Sequence, residues 1–193
     1  MSLFEQCHTE KIQSRQIDIA THTGDDDHIL VRGDLHDRRL VPTCAIDGRW
    51  RDPGSVHHMH ICLKVATETL AIVEAEARMS QTPHPQCETI TASLTSIVGL
   101  RLVPGFSARG RRRRGGPKGC IHLTTLLLAM APAALQGYWT QNDRDPGRRR
   151  LSREHLERYL VDTCHVWRRD GELLAELAQK AGIDIPPGAH SPE

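Results

Sequence analysis

The sequence contains few aromatic residues, no Cys-x-x-Cys pair and no long apolar run. Aromatic residues make up 4% of its 193 residues. Proteins that bind single-stranded nucleic acid usually stack bases on exposed aromatic side chains, and none lies within the arginine clusters here. The missing Cys-x-x-Cys pair excludes a zinc ribbon and a thioredoxin-like redox centre, although six cysteines are present, at positions 7, 44, 62, 87, 120 and 164.

The net charge is also small, and the apolar segments are short. The formal net charge is +1, which argues against a general attraction to nucleic acid or membranes. The start, MSLFEQCHTEKIQSRQ, has no apolar signal core, and no segment approaches the roughly 18 apolar residues of a membrane span. We therefore expect a cytoplasmic protein with free thiols and no membrane partner. The length predicts one domain over residues 14–185, with a flexible arm at 1–13 and a disordered tail at 186–193.

Alternating apolar residues in the first 80 positions predict four strands. They cover residues 16–23, 28–35, 56–65 and 70–79, with an irregular excursion over 36–55. In the third strand, His57 shares the apolar face with Met59 and Ile61, whereas His58, His60 and Cys62 point the other way and are expected to meet water. Short connections favour an antiparallel sheet with one face covered.

Helical periodicity follows the strands. The pattern predicts a helix from Cys87 to Gly99, a second from Cys120 that Pro132 kinks or ends, a third capped by Ser152 and a last one capped by Asp170. The fold class is therefore α+β, an antiparallel sheet of about four strands followed by three to four helices. Residues 101–118 are expected to form a mobile basic loop. It could be a solvated surface or an anion site made of Arg111, Arg112, Arg113, Arg114 and Lys118.

Several Cys and His residues are expected to face inward or to begin helices. His57 lies on the buried strand face, Cys87 and Cys120 start helices, and Cys164 continues an apolar stripe from Leu156. His122 follows Cys120 by two residues, so the two can share an ion only if Cys120 is still outside the helix. Thiolate and imidazole are the ligands that zinc prefers. A buried, hydrogen-bonded Cys and His would give the same pattern.

The chain also resembles an uncharacterised bacterial family, a domain of unknown function with a Gly-Cys-Thr-His-Leu signature. The matching segments are VHHMHICLKV, PHPQC, IVGLRLVPGF and GCIHL, in which Ile121 replaces the usual Thr, and the later DTCHVWRRDG. The resemblance implies a shared site at the family's polar positions, which correspond to His57, Cys87, Cys120, His122 and Cys164. It implies no reaction.

These patterns lead to one main hypothesis and three alternatives. The main one is a zinc-dependent hydrolase or lyase that acts on a small acidic or acyl substrate. Its ligands would come from the five positions above, with Cys120, His122 and His57 catalytic. The alternatives are a metal-free enzyme with Cys120 as nucleophile, a protein whose zinc is only structural, and a nucleic-acid-binding regulator that uses its arginines.

Overall fold

A four-stranded antiparallel sheet dominates the computed structural model, which describes residues 1–25, 27–144 and 152–186. Its strands are consecutive neighbours in the order β1, β2, β5, β6, with bounds Gln13–Thr23 (β1), His28–Arg39 (β2), Gly54–Ala66 (β5) and Ile72–Gln81 (β6). Between β2 and β5, two short strands pair as a separate ribbon, Thr43–Cys44 (β3) and Trp50–Arg51 (β4). The predicted α+β class with four antiparallel strands is confirmed.

The helices follow the sheet, apart from one turn at the N-terminus. In chain order they are Leu3–Gln6 (α1), a 3-10 helix at Pro85–Ile97, Phe106–Arg114 (α2), a 3-10 turn at Gly116–Lys118, Ile121–Asp143 (α3), Arg153–Tyr159 (α4) and Glu172–Ala181 (α5). None of the described helices combines the length and the apolar character that crossing a lipid bilayer requires.

The core lies between one face of the sheet and α3. Alternation along β2 and β5 turns every second side chain inward, and Val31, Leu63 and Ile61 are buried as a result. Helix α3 covers them with a buried apolar face that includes Leu127 and Met130. This packing sets the N-terminal end of α3 at one end of the sheet.

Helix α3 continues through Pro132, so the expectation that it ends there is wrong. Proline costs about 3 kcal/mol in a helix interior, and burial of the helix on the sheet can offset that cost. Helix α3 lies very close to β1 at Gly137, where an added Cβ would be 2.3 Å from Thr21 Oγ1. The hydroxyl of Thr21 also donates to the carbonyl of Ala133.

The basic segment is a helix, and the prediction of a loop over residues 101–118 is wrong for its central part. Arginine is a good helix former, and the run 106–114 forms α2 between Gly105 and Gly115. The preceding segment accepts a hydrogen bond from one of these arginines, since Arg113 donates to the backbone carbonyl of Ser96 at 2.6 Å. Arg109, Arg113 and Arg114 are therefore held by hydrogen bonds to the protein, whereas Arg111 and Arg112 are exposed.

The C-terminal part agrees with the pattern at Ser152 and departs from it afterwards. The Ser152 side chain caps α4 by accepting from the amide of His155. The helix ends at Tyr159, however, so the stripe expected to continue to Cys164 is interrupted and Cys164 is exposed. The cap of α5 is Gly171 instead of Asp170, and the segment beginning at Pro85 is a 3-10 helix.

Three sequence expectations concern the two chain ends and a connector. Part of the expected N-terminal arm forms α1, whose Ser2 and Glu5 make a reciprocal capping box. The first residues of the polar connector predicted for 142–150 belong to α3, and residues 145–151 lie outside the described residues. The same holds for the predicted tail, of which only Pro186 is described.

Candidate functional site

A buried carboxylate, Asp37, marks the candidate site at one end of the sheet. It continues the inward-facing series of β2 after Leu35 and is only 5% exposed. Its register partners are Arg15 on β1 and His57 on β5, so pairing alone brings a cation and an imidazole to its two sides. A bulge in the β2–β5 pairing follows this position, and bulges commonly re-aim side chains near functional sites.

Arg15 and His57 both bind the Asp37 carboxylate. The guanidinium donates from Nε to Oδ1 at 2.7 Å and from the second nitrogen to Oδ2 at 2.8 Å, and His57 Nδ1 lies 3.0 Å from Oδ2. The bond from Arg15 holds the pKa of Asp37 below its usual value, although burial acts in the opposite direction. Asp37 is therefore ionised at neutral pH, and Arg15 fixes its orientation.

His122 brings a second imidazole from the first turn of α3. Its ring stacks on that of His57 with 3.8 Å between centroids, and its Nε2 lies 3.7 Å from Asp37 Oδ2. Burial lowers the pKa of His122, and the nearby His57 and Arg15 lower it further against the opposing effect of Asp37. The neutral ring, with a free lone pair on one nitrogen, is thus favoured.

Cys120 lies on the other side of the His122 ring. It is the N-cap of α3 in an extended conformation, and its Sγ is 3.7 Å from His122 Nδ1. Cys120 is therefore outside the helix, as sharing a site with His122 requires. The preceding Gly119 permits the close turn, because a Cβ there would lie 2.2 Å from the carbonyl oxygen of Arg114.

Arg114 is the most deeply buried charge near this segment. It is 1% exposed and donates one bond to Ser93 Oγ, while its Nε and second terminal nitrogen have no hydrogen-bond partner. Burial lowers the pKa of Arg114, and the charge of an ionised Cys120 would raise it. A buried guanidinium with unsatisfied donors favours a nearby anion.

The group of Asp37, His57 and His122 has the composition and spacing of a metal site. One ligand atom from each lies within 4.8 Å of the others. Two ligands at about 2.1 Å from a tetrahedral zinc ion are roughly 3.4 Å apart, and the distances from Oδ2 to the two imidazoles, 3.0 and 3.7 Å, lie on either side of that value. An ion bound to Oδ2 would replace the direct contact between Asp37 and His57. The residues therefore fit a zinc ion.

The five positions expected to share a metal are not all in this group. His57 and His122 are, and Cys120 adjoins it through His122 Nδ1. Among the described residues, neither of the two ligand-type groups contains Cys87 or Cys164. Cys87 is half-buried in the 3-10 helix, and Cys164 is exposed beyond α4.

The residues expected to bind an anion also fall into two sets, one exposed and one buried. Four of them have exposed side chains: Arg111, Arg112, Arg113 and Lys118. Arg114 is the buried exception, so it is the member of this set that lies next to the Cys120 segment inside the protein.

Asp37 and Arg15 are site residues that the sequence pattern did not indicate. The second strand was expected to end at Leu35, which placed Asp37 in the irregular excursion. Strand β2 continues to Arg39, and the inward series Val31, Gly33, Leu35 simply extends by one more step. That continued alternation is the signal that could have identified Asp37. Arg15 carries no such signal, because its role depends on register with a strand more than 20 residues away.

Comparison with known proteins identifies the family to which the chain is similar. Neither the curated proteins nor the solved structures give a match to the chain. A family model described as a protein of unknown function, DUF2889, matches residues 13–136. The match covers β1 to β6, α2 and the Cys120–His122 segment, so it includes every residue of the candidate site. The chain belongs to this family of proteins of unknown function, DUF2889.

Proposed function

We propose that the protein is a metal-dependent enzyme, with zinc as its metal, that acts as a hydrolase or lyase on a small acidic or acyl substrate. The observation that carries the proposal is the Asp37–His57–His122 group. Three ligand-type side chains from β2, β5 and α3 converge within 4.8 Å, two of them as stacked imidazoles. Two His and one carboxylate leave coordination positions for a substrate or water, as catalytic zinc sites do.

The metal would contribute polarisation of a substrate carbonyl or activation of a water molecule. The protein's own residues would hold and orient the reacting groups. Arg15 fixes the carboxylate of Asp37 through two hydrogen bonds and thereby sets the position of the ligand oxygen. Cys120, at 3.7 Å from His122 Nδ1, can accept or donate a proton at the ring nitrogen that faces away from Asp37.

Positive charge near the site supports an anionic or acyl substrate. Arg114 lies beneath the loop that leads to Cys120 and has two buried nitrogens without partners. The exposed arginines of α2 and Lys118 add a positive surface beside the same loop. Such an environment favours a substrate with a carboxylate or another negative group.

The proposal is tested by metal content and by activity. Tag-free protein is analysed by mass spectrometry of metals, then assayed with an activated acyl ester and with an acyl thioester that carries a free carboxylate. We expect chelation to abolish hydrolysis and zinc to restore it. His57→Ala and His122→Ala should each lower bound zinc by one equivalent, whereas His22→Ala, which removes an exposed imidazole of β1, should not. Unchanged zinc content in both site variants would contradict the proposal.

A metal-free cysteine enzyme is the second candidate, favoured by the order in which three groups contact one another. Cys120 Sγ lies 3.7 Å from His122 Nδ1, and His122 Nε2 lies 3.7 Å from Asp37 Oδ2. This is the order of nucleophile, base and carboxylate in hydrolytic triads, whose contacts are often long without substrate. In this case chelators would leave hydrolysis intact, and Cys120→Ser would abolish both turnover and covalent labelling by an acylating substrate analogue.

A further inference from the structure

A second group of imidazoles lies on the opposite face of the sheet. Strand alternation turns His58 and His60 of β5 away from α3, and on β2 it does the same for Asp34 and His36. Antiparallel register then pairs Asp34 with His60 and His36 with His58. Four ligand-type side chains therefore form one block on two adjacent strands.

The block is closely packed. The His58 ring lies 4.5 Å from that of His36 and 4.4 Å from that of His60, measured between centroids. One ligand atom each from Asp34, His58 and His60 lies within 4.8 Å of the other two. His60 Nδ1 contacts Asp34 Oδ1, and its Nε2 is 2.8 Å from Ser80 Oγ, so the ring orientation is fixed from both sides.

We propose that Asp34, His58 and His60 form a second metal site, for an exchangeable transition-metal ion such as zinc, with His36 as an additional ligand. Three imidazoles and one carboxylate suit zinc, copper or nickel, whereas magnesium and calcium prefer oxygen ligands. Stacked imidazoles repel one another when charged, and a shared cation bound by neutral rings removes that conflict.

The site is open to solvent on one side. The Asp34 and His60 side chains are 23% and 20% exposed. Arg32, which binds both Asp34 oxygens, is 61% exposed and can swing into water when an ion takes its place. Beside His60 lies a cleft of about 400 Å³, also lined by Cys62, Glu76 and Arg78. Entry and release of an ion therefore need no opening of the core.

The second site is independent of the first. Asp37, His57 and His122 lie on the face that α3 covers, whereas Asp34, His58 and His60 lie on the face that it does not. The two metal equivalents can therefore be assigned to one site or the other by substitution. The second site also requires no catalytic activity, so its test does not depend on the function proposed above.

The test is a titration of chelator-treated, full-length protein with Co²⁺, followed by absorbance, and with Zn²⁺, followed by calorimetry. We expect two equivalents for the unmodified chain. His58→Ala and His60→Ala should each lose one equivalent or weaken its binding at least tenfold, with His22→Ala as the matched control. His57→Ala should lose only the other equivalent, and His58→Ala combined with His57→Ala should lose both.

Two results would overturn the proposal. One is that His58→Ala and His60→Ala both bind as many equivalents of metal, and as tightly, as His22→Ala does. The other is a single equivalent in the unmodified chain that only His57→Ala removes. A single equivalent that only His58→Ala and His60→Ala remove would support the second site and contradict the first. If His60→Ala fails to fold, His58→Gln tests the same site with a side chain that remains polar.

Discussion

Asp37→Asn is the substitution that best separates the candidate site from an ordinary surface ion pair. It preserves the size of the side chain and removes the charge that Arg15 and His57 both bind. An Asn amide group would also place its own donors against one of these two donors. The folded state should therefore lose stability even when no metal is present.

The expected loss is about 2–3 kcal/mol. Hydrogen bonds to charged groups contribute roughly 1.5–3 kcal/mol, and breaking a buried ion pair costs about 3–5 kcal/mol. The expected loss lies below the cost of breaking a fully buried pair because the Arg15 side chain is 38% exposed, which screens the pair, although the Asp37 side chain is only 7% exposed. Asp34→Asn is the matched control, since Asp34 lies on the same strand with its own arginine and histidine partners but more exposed. It should cost clearly less.

The assay is urea unfolding at pH 7 in the presence of a chelator, with Arg15→Met and the double variant completing a cycle. Asp37 has a lowered pKa in the folded state, so its contribution is present above the unfolded value of about 3.9 and is lost as the pH falls through the folded pKa. Asp37→Asn should therefore flatten the fall in stability below about pH 4. Equal losses for Asp37→Asn and Asp34→Asn would refute the reasoning.

Two further predictions concern packing and buried charge. Alanine stabilises a helix interior by about 1 kcal/mol relative to glycine, so Gly110→Ala, whose new Cβ would lie 3.4 Å from its nearest neighbour, should raise the urea midpoint. Gly137→Ala should lower it, because the Cβ would lie 2.3 Å from Thr21 and overpacking costs roughly 1–3 kcal/mol; a rise at both positions would contradict the close packing of α3. Arg114→Met should leave stability unchanged or raise it by up to about 4 kcal/mol, since it removes a buried, partly unsatisfied charge. A clear loss, larger than that of Arg113→Met in the same urea assay, would show that Arg114 has a stabilising partner.

The sequence by itself determined the sheet and the faces of its strands. Side chains alternate with a period of two along any strand, so the apolar series in β5 identified the buried face and separated His57 from His58 and His60. The same local logic identified Ser152 as a helix cap and placed Cys120 at the start of α3. Each of these features depends on residues close together in the chain, and their periodicity is therefore visible in it.

Tertiary structure decided which polar groups meet. Register between strands brought Arg15, Asp37 and His57 together, and the packing of α3 added His122, but residues separated by 20 or more positions leave no periodic trace of their pairing. Register likewise brought Asp34 and His36 beside the outward-facing histidines. The run of arginines did not indicate that Arg114 would be buried. The carbonyl and hydroxyl groups that accept hydrogen bonds from these arginines belong to other parts of the chain, and only the fold brings them close.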